Sequence, residues 1–591
     1  MTVNQKLAKL REVMLSHQID AIIIPSSDPH QSEYLAAHWQ ERAWISGFTG
    51  SAGIVVVTKD HAGLWTDSRY FLQGEIELAG SAFVLHKMTN QFASPHIDFL
   101  IDNLHSGSTV AVNGLMFSKA SVDTMNKSFS EKKIQLIHRL DLISVIWKDR
   151  PGLSDEPIVL HEDKYAGKSV SDKLKQIREI MTENNAEYHL ITTLDDIAWS
   201  FNIRGKDVDF NPVAIAYAVI SNKTAEIFIP ELKLSIDVKK QFAKNNIKVN
   251  DYNTIIPFLN ELKSSSTILV DQNLCSQTLY ESINARVILG AAIPKTLKCI
   301  KNDIEIGHIR SVMKKDGAAL AYTFYWLEEM LKEGNSITEV TVAQKIAESR
   351  SNQKLYQGES FNAIVGYRGN GAIIHYHPEP ETCKQILPEG ILLVDSGGQY
   401  SDGTTDITRT FALSAPTKEQ KKAYTLILKG MIALSMAKFP DGTAGSQLDT
   451  FARQYLWAEG MNYGHGTGHG VGFFLNVHEP PQGFAPVHSE RGRTIHVPGM
   501  LTSNEPGYYK EGEFGMRIEN LILSTSSELP GFMEFETVTL YPFDHNLIDK
   551  VRLTKEEIKW INEYHKKSYS GISPLLKGEL KTWFKEKCRK V

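Results

Sequence analysis

Cysteine is scarce: Cys275, Cys299, Cys383 and Cys588 are the only four in 591 residues, and no two stand in a CxxC pair. That spacing argues against a disulfide framework or a zinc finger and implies reduced thiols in a cytoplasmic protein. Long apolar runs are also lacking. No window approaches the roughly 18 consecutive apolar residues of a membrane helix, so no membrane association is expected. The N-terminal stretch MTVNQKLAKLREVMLSHQID is broken by charge every few positions and has no small-residue cleavage site, which argues against a secretory signal. Nor is one sign of charge in excess. A net charge of -5, with 23% charged and 42% hydrophobic residues, describes an ordinary globular chain and gives no reason to expect nucleic acid.

What the chain does have is length, more than one hydrophobic core accommodates, with a prior of roughly three to four domains. Its front half contains an echo. KLREVMLSHQIDAIIIP from Lys9 and KLKQIREIMTENNAEYHLITT from Lys173 each read as an amphipathic helix running into a short apolar strand. The helices carry Leu10, Val13 and Met14, and Ile177, Ile180 and Met181, at helical spacing. Both copies then reach a Trp and a Gly, in AWISGFTG from Ala43 and AWSFNIRG from Ala198. Two copies of one α/β domain are expected, over 1–150 and 158–300, joined by KDRPGLSDEP at 148–157. A basic connector at 294–306 then leads into a long helix, about Ile306 to Leu331, that opens a third domain over 301–545. Residues 546–591 form a basic helical extension with a capping box at Thr554 and Glu557, and Thr417 with Gln420 forms another.

Five potential metal ligands lie in the C-terminal half: Asp395, Asp406, His469, Glu505 and Glu519, within VDSGGQYSDGTTD, HGTGHGVG, SNEPGYY and GMRIEN. Asp395 follows ILLV and Glu519 precedes NLIL, and acids set in apolar strand sequence are costly to bury unless paired or metal-bound. Four carboxylates and one imidazole form an oxygen-rich set suited to hard or borderline divalent ions, and four negative charges match two such ions. ILLVDSGGQY and TDITRTFAL are expected to pair as antiparallel strands, with Thr404, Asp406, Thr408 and Thr410 on one face and Ile407 and Phe411 on the other. GMRIENLIL is expected to be a single strand carrying Arg517 and Glu519 on one face. The third domain is therefore α+β, a curved antiparallel sheet with helices on one side and a metal site on the open side.

His465 and His469 are four apart, but five glycines in GHGTGHGVG make a helix improbable and instead allow close backbone approach to a site. His375 in NGAIIHYHP and His478 in FLNVHEPP are imidazoles able to hold a developing oxyanion or shuttle a proton.

With these residues in view, the 300–545 segment resembles the pita-bread metallopeptidases, the family of methionine aminopeptidase, prolidase and aminopeptidase P. The Asp, Asp, His, Glu, Glu order and the eleven-residue interval from Asp395 to Asp406 carry the likeness. SFNAIVGYRGNGAIIHYHP and HGTGHGVGFFLNVHEPP look most like the three-domain cytosolic Xaa-Pro aminopeptidases, while GFTGSAG and WTDSRYFLQ resemble a creatinase-type N-terminal domain. The resemblance implies two creatinase-like domains before a pita-bread catalytic domain. It implies a dinuclear site in which Asp406, His469 and Glu505 line one side and Asp395 and Glu519 bridge or complete the other. His375, His465 and His478 would handle substrate. Pro480 departs from the family pattern, in which glycine is expected; it fixes φ and biases Glu479 to an extended conformation.

The function this implies is release of the N-terminal residue from peptides with proline second, through a hydroxide activated by two metals, with Glu505 accepting the water's proton. Mn(II) is favoured by the oxygen-rich set and the resemblance, with Zn(II) or Co(II) as alternatives. The prolyl ring needs an apolar shelf, for which Phe361, Tyr367 and Tyr509 are candidates, with Arg69 and Arg517 as further substrate contacts. A homodimer in the cytoplasm is implied by the resemblance. The alternatives are a prolidase confined to Xaa-Pro dipeptides, which the second front domain disfavours, and a metal-free peptide-binding or creatinase-like relative, which the complete ligand set disfavours.

Overall fold

The computed structural model describes residues 1–89 and 93–591 and divides into two compact units. Met1–Glu162 and Lys168–Thr296 form one; Asp163–Gly167 and Leu297–Val591 form the other.

The echo in the sequence is an architectural duplication. In the first copy the strands are Ala21–Pro25, Ile54–Thr58, Ala62–Asp67, Val84–Met88, Thr109–Ala111 and Gln135–Ile137. In the second they are Tyr188–Ile191, Tyr217–Ser221, Ala225–Phe228, Ile247–Asn250, Thr267–Val270 and Arg286–Leu289. Both sheets have the spatial order fourth, third, second, first, fifth, sixth. The pairings match as well: first with second and second with third are antiparallel, and the others are parallel. The lead helix of the first copy, Val3–Ser16, is started by a Thr2–Gln5 capping box and buries Leu7, Leu10 and Met14. Its counterpart, Val170–Glu183, is capped by Ser169 and buries Leu174, Ile177 and Met181. Residues 148–157 carry no helix or strand.

The second unit opens with the helix Asp303–Lys332, three residues longer at its start than the apolar pattern implies because Asn302 and Glu305 form a capping box there. The helix Lys418–Ser435 starts at the expected Thr417–Gln420 box and buries Ala423, Ile427, Met431 and Leu434 completely. Lys555–Ile572 likewise begins at Thr554 and Glu557, and Gly578–Lys587 follows it. Ile391–Ser396 pairs antiparallel with Ile407–Ala412, placing Asp395 opposite Thr408, and Ile364–Tyr367 completes that sheet. Leu501–Asn504 and Asn520–Ser526 lie at the centre of a six-stranded sheet that also holds Gly468–Gly470 and Glu479–Phe484.

One expectation is corrected. GMRIENLIL is two strands, Phe514–Arg517 in a hairpin and Asn520–Ser526 in the six-stranded sheet. Between them the Ile518 and Glu519 N–H groups donate to Pro506 O and Thr408 O, so the chain crosses from one sheet to the other at Glu519. A continuous apolar pattern does not reveal such a change of hydrogen-bond partner.

Candidate metal centre

Four carboxylates and an imidazole converge in the second unit from five separate backbone segments. Asp395 sits near the end of its strand, and Asp406 lies just before the strand paired with it. His469 is the middle residue of Gly468–Gly470, Glu505 follows Leu501–Asn504, and Glu519 occupies the crossing just described. Ligand atoms of Asp406, His469 and Glu519 all lie within 4.8 Å of one another. His469 Nε2 is 3.5 Å from Asp406 Oδ2 and 3.4 Å from Glu505 Oε1.

The glycines make this approach possible. A Cβ on Gly468 would stand 1.9 Å from Ser503 O and would force the His469 strand from the strand that leads to Glu505, and one on Gly470 would stand 2.3 Å from Glu479 O and would force it from the strand that begins there.

Electrostatics indicate what belongs among these groups. Burial, then the charges of Asp395 and Glu505, push the Asp406 carboxyl well above the usual range. Burial and the neighbouring acids do the same to Glu519. Glu505 is raised to about 7, chiefly by burial and by Asp395, against the pull of Arg517. His469 Nδ1 lies 3.0 Å from Gly470 O, a carbonyl that only accepts, so Nδ1 carries the proton. Its Nε2 faces two carboxylate oxygens, and in the neutral ring that nitrogen is free to share a cation with them. Asp395 Oδ1 is buried without a hydrogen-bond partner. An imidazole fixed in its ligating tautomer, a bare buried carboxylate oxygen and mutually destabilised acids all fit divalent ions.

The supporting contacts are specific. Arg517, with 2% of its side chain exposed, donates to Asp395 Oδ2 at 2.7 Å, to Thr408 Oγ1 at 3.1 Å and to Tyr509 Oη at 2.6 Å. Thr408 in turn donates to Glu519 Oε2 at 2.8 Å. Burial alone would lower the Arg517 pKa, but Tyr509, Asp395 and Glu505 raise it well above the ordinary value and keep the guanidinium charged. Ser503 accepts from the His469 N–H at 3.0 Å and donates to Glu505 Oε1 at 3.1 Å. Thr408 lies on the polar face expected for it beside Asp406; Ser503 was not singled out from the sequence, although it stands two residues from Glu505 along extended chain.

Of the proposed substrate residues, His478 packs edge-on against the His469 ring with centroids 4.2 Å apart. His465 Nε2 lies 2.8 Å from Tyr509 Oη, whose phenol burial pushes up to about 12. His375 is half-buried on the loop after the short helix Arg368–Ala372. Phe361 borders Gly397, two residues beyond Asp395. Tyr367 is a core residue instead, 2% exposed, with its hydroxyl donating to Glu389 O at 2.8 Å. Arg69 belongs to the first unit, where Asp67 binds its guanidinium through contacts of 2.8 and 2.7 Å. Glu479 opens its strand in the extended conformation expected ahead of Pro480.

Known families match along the chain: the Creatinase/Prolidase N-terminal domain over 6–143 and again over 149–305, metallopeptidase family M24 over 307–526, and the C-terminal region of peptidase M24 over 531–591. Xaa-Pro aminopeptidase 1 of Dictyostelium discoideum is 38% identical over 593 residues, covering 97% of this chain and 94% of its own. The chain belongs to the Xaa-Pro aminopeptidase branch of the M24 metallopeptidases. Aminopeptidase P2 of Arabidopsis thaliana is also 38% identical, over 98% of this chain and 87% of its own. The crystal structure of X-prolyl aminopeptidase from Caenorhabditis elegans, described as a cytosolic enzyme with a di-nuclear active site, superposes with a TM-score of 0.96 at 33% identity and full coverage of both chains. The resemblance and fold class read from the motifs thus hold: two creatinase-type domains precede a pita-bread M24 domain.

Proposed function

We propose that Asp395, Asp406, His469, Glu505 and Glu519 hold the two divalent ions of this M24 peptidase. The observation that carries the reading is the convergence of His469 Nε2 on carboxylate oxygens 3.4 and 3.5 Å away, beside a buried Asp395 Oδ1 that has no hydrogen-bond partner. The protein is a metal-dependent aminopeptidase that removes the N-terminal residue from peptides with proline in the second position, supported by relatives of that name along nearly the whole chain.

When bound, the ions supply Lewis acidity to the scissile carbonyl and to the attacking water. Glu505 takes the water's proton on a carboxylate oxygen and returns it to the prolyl nitrogen, which must be protonated to leave. His478, beside His469, and His375 hold the carbonyl oxygen as negative charge develops. Arg517 stays charged beside Asp395 and, through Tyr509, fixes the tautomer of His465: the phenol oxygen accepts a hydrogen bond from the Arg517 N–H and its O–H donates to His465 Nε2. Phe361 and Tyr509 offer apolar surface for the prolyl ring, which lacks an N–H.

The oxygen-rich set favours Mn(II), with Zn(II) and Co(II) as alternatives. Residence in the cytoplasm is supported by the description of the nematode enzyme, and a homodimer by family likeness. The domain limits proposed are 1–150, 158–300, 301–545 and 546–591, supported by matching sheet orders in the first two.

Hydrolysis of a Xaa-Pro-Xaa tripeptide, abolished by chelator and restored by Mn(II), is the expected result. Turnover of Xaa-Pro dipeptides alone would make the protein a prolidase.

A further inference from the structure

Lys301 is almost fully buried within the second unit, and its ammonium bonds to the Glu479 carboxylate, with 1% of each side chain exposed. The same ammonium donates to Lys298 O at 2.9 Å. The Lys301 backbone is fixed as well: its N–H donates to Gly499 O at 2.9 Å, and Ile300 bridges Met500. A lysine anchored at both ends thus grips the residue that directly follows His478.

Glu479 is where a loop closes. The chain leaves the centre at His469, runs through 471–478 and returns by pairing Glu479 with Gly470, a contact too close for any Cβ. Within the loop Val471 N–H donates to Leu501 O at 3.1 Å and Gly472 N–H to Asn476 O at 3.0 Å. The His469 and His478 rings meet where the two limbs converge. A buried ion pair adds little stability over a well-packed apolar pair, but it is directional and defines register.

We propose that Lys301 is a positioning residue for His478. By holding the Glu479 carboxylate it fixes where the loop returns, and so where the His478 ring stands against the scissile carbonyl. The inference rests on the reading of His478 as a substrate-handling residue.

The test compares Lys301→Met, the double variant Lys301→Met/Glu479→Leu and His478→Ala, using a Xaa-Pro-Xaa tripeptide and Mn(II)-loaded full-length protein. The double variant removes both members of the pair together, so it decides the question if the single variant, with the Glu479 charge left without Lys301, misfolds. Misplacement of a catalytic group by about 1 Å costs on the order of 10²-fold. The expected result is a kcat reduced by about that factor in the double variant, with KM little changed, two ions per chain retained and faster amide hydrogen exchange across 471–478. Parental kcat and exchange in the double variant, beside an impaired His478→Ala, would overturn the role of Lys301. Parental kcat in His478→Ala would instead sink the reading of His478 and the proposal with it.

Discussion

Removing the metal should give the chain a pH dependence of stability opposite in sign to that of metal affinity, and Glu505 shows why. Burial and neighbouring charge raise its carboxyl from 4.5 to about 7 in the folded, metal-free state. At about 1.4 kcal/mol per tenfold change in proton affinity, that corresponds to at most about 3 kcal/mol. Because the folded value lies above the unfolded one, the stabilising proton is fully bound below about pH 4.5 and is lost as pH rises through about 7. Metal-free stability should therefore fall across that window. Metal binding requires deprotonated ligands and strengthens over the same range. Buried histidines such as His189 and His496, both held down to about 4, titrate with the opposite sign, so the comparison must be with Glu505→Gln, which retains them. Urea unfolding with EDTA, at intervals from about pH 4.5 to 8, measures the parent-minus-variant difference. This difference should decline by up to about 3 kcal/mol, and Mn(II) should abolish the decline. A difference that stays flat or rises with pH would mean that Glu505 does not bind its proton more tightly in the folded, metal-free protein.

Other outcomes follow from single contacts. Tyr509→Phe removes the hydroxyl between Arg517 and His465 and should lower kcat/KM by about 1–3 kcal/mol of transition-state stabilisation while leaving metal content intact, read by steady-state kinetics and elemental analysis. Gly470→Ala places a methyl 2.3 Å from Glu479 O, so both melting temperature and activity should drop; unchanged values of each would mean the strands yield without cost. Tyr367→Phe should cost about 1 kcal/mol of stability through the lost bond to Glu389 O yet leave kcat and KM for a Xaa-Pro-Xaa peptide unchanged, separating a core role from a proline shelf.

The parts of this protein legible in its sequence are those written in local chemistry. The Thr417–Gln420 and Thr554–Glu557 boxes start their helices because each satisfies otherwise orphaned N–H groups within four residues. The duplicated front showed itself through repeated helix-to-strand patterns, and the sheet orders agree. Asp395, Asp406, His469, Glu505 and Glu519 stood out because acids in apolar strands and a glycine-flanked histidine are costly without a purpose. What stayed hidden depends on distant partners. The break at Glu519 is decided by bonds to Pro506 and Thr408, Tyr367 became core through Glu389, and Lys301 gains its partner 178 residues away. No periodicity encodes such pairings.

An anomalous-scattering map of Mn(II)-loaded crystals, recorded at the manganese edge, would locate the ions among these side chains. Two peaks, each in coordination contact with members of the set Asp395, Asp406, His469, Glu505 and Glu519, are the predicted result. A single peak, or manganese bound away from these side chains, would contradict it.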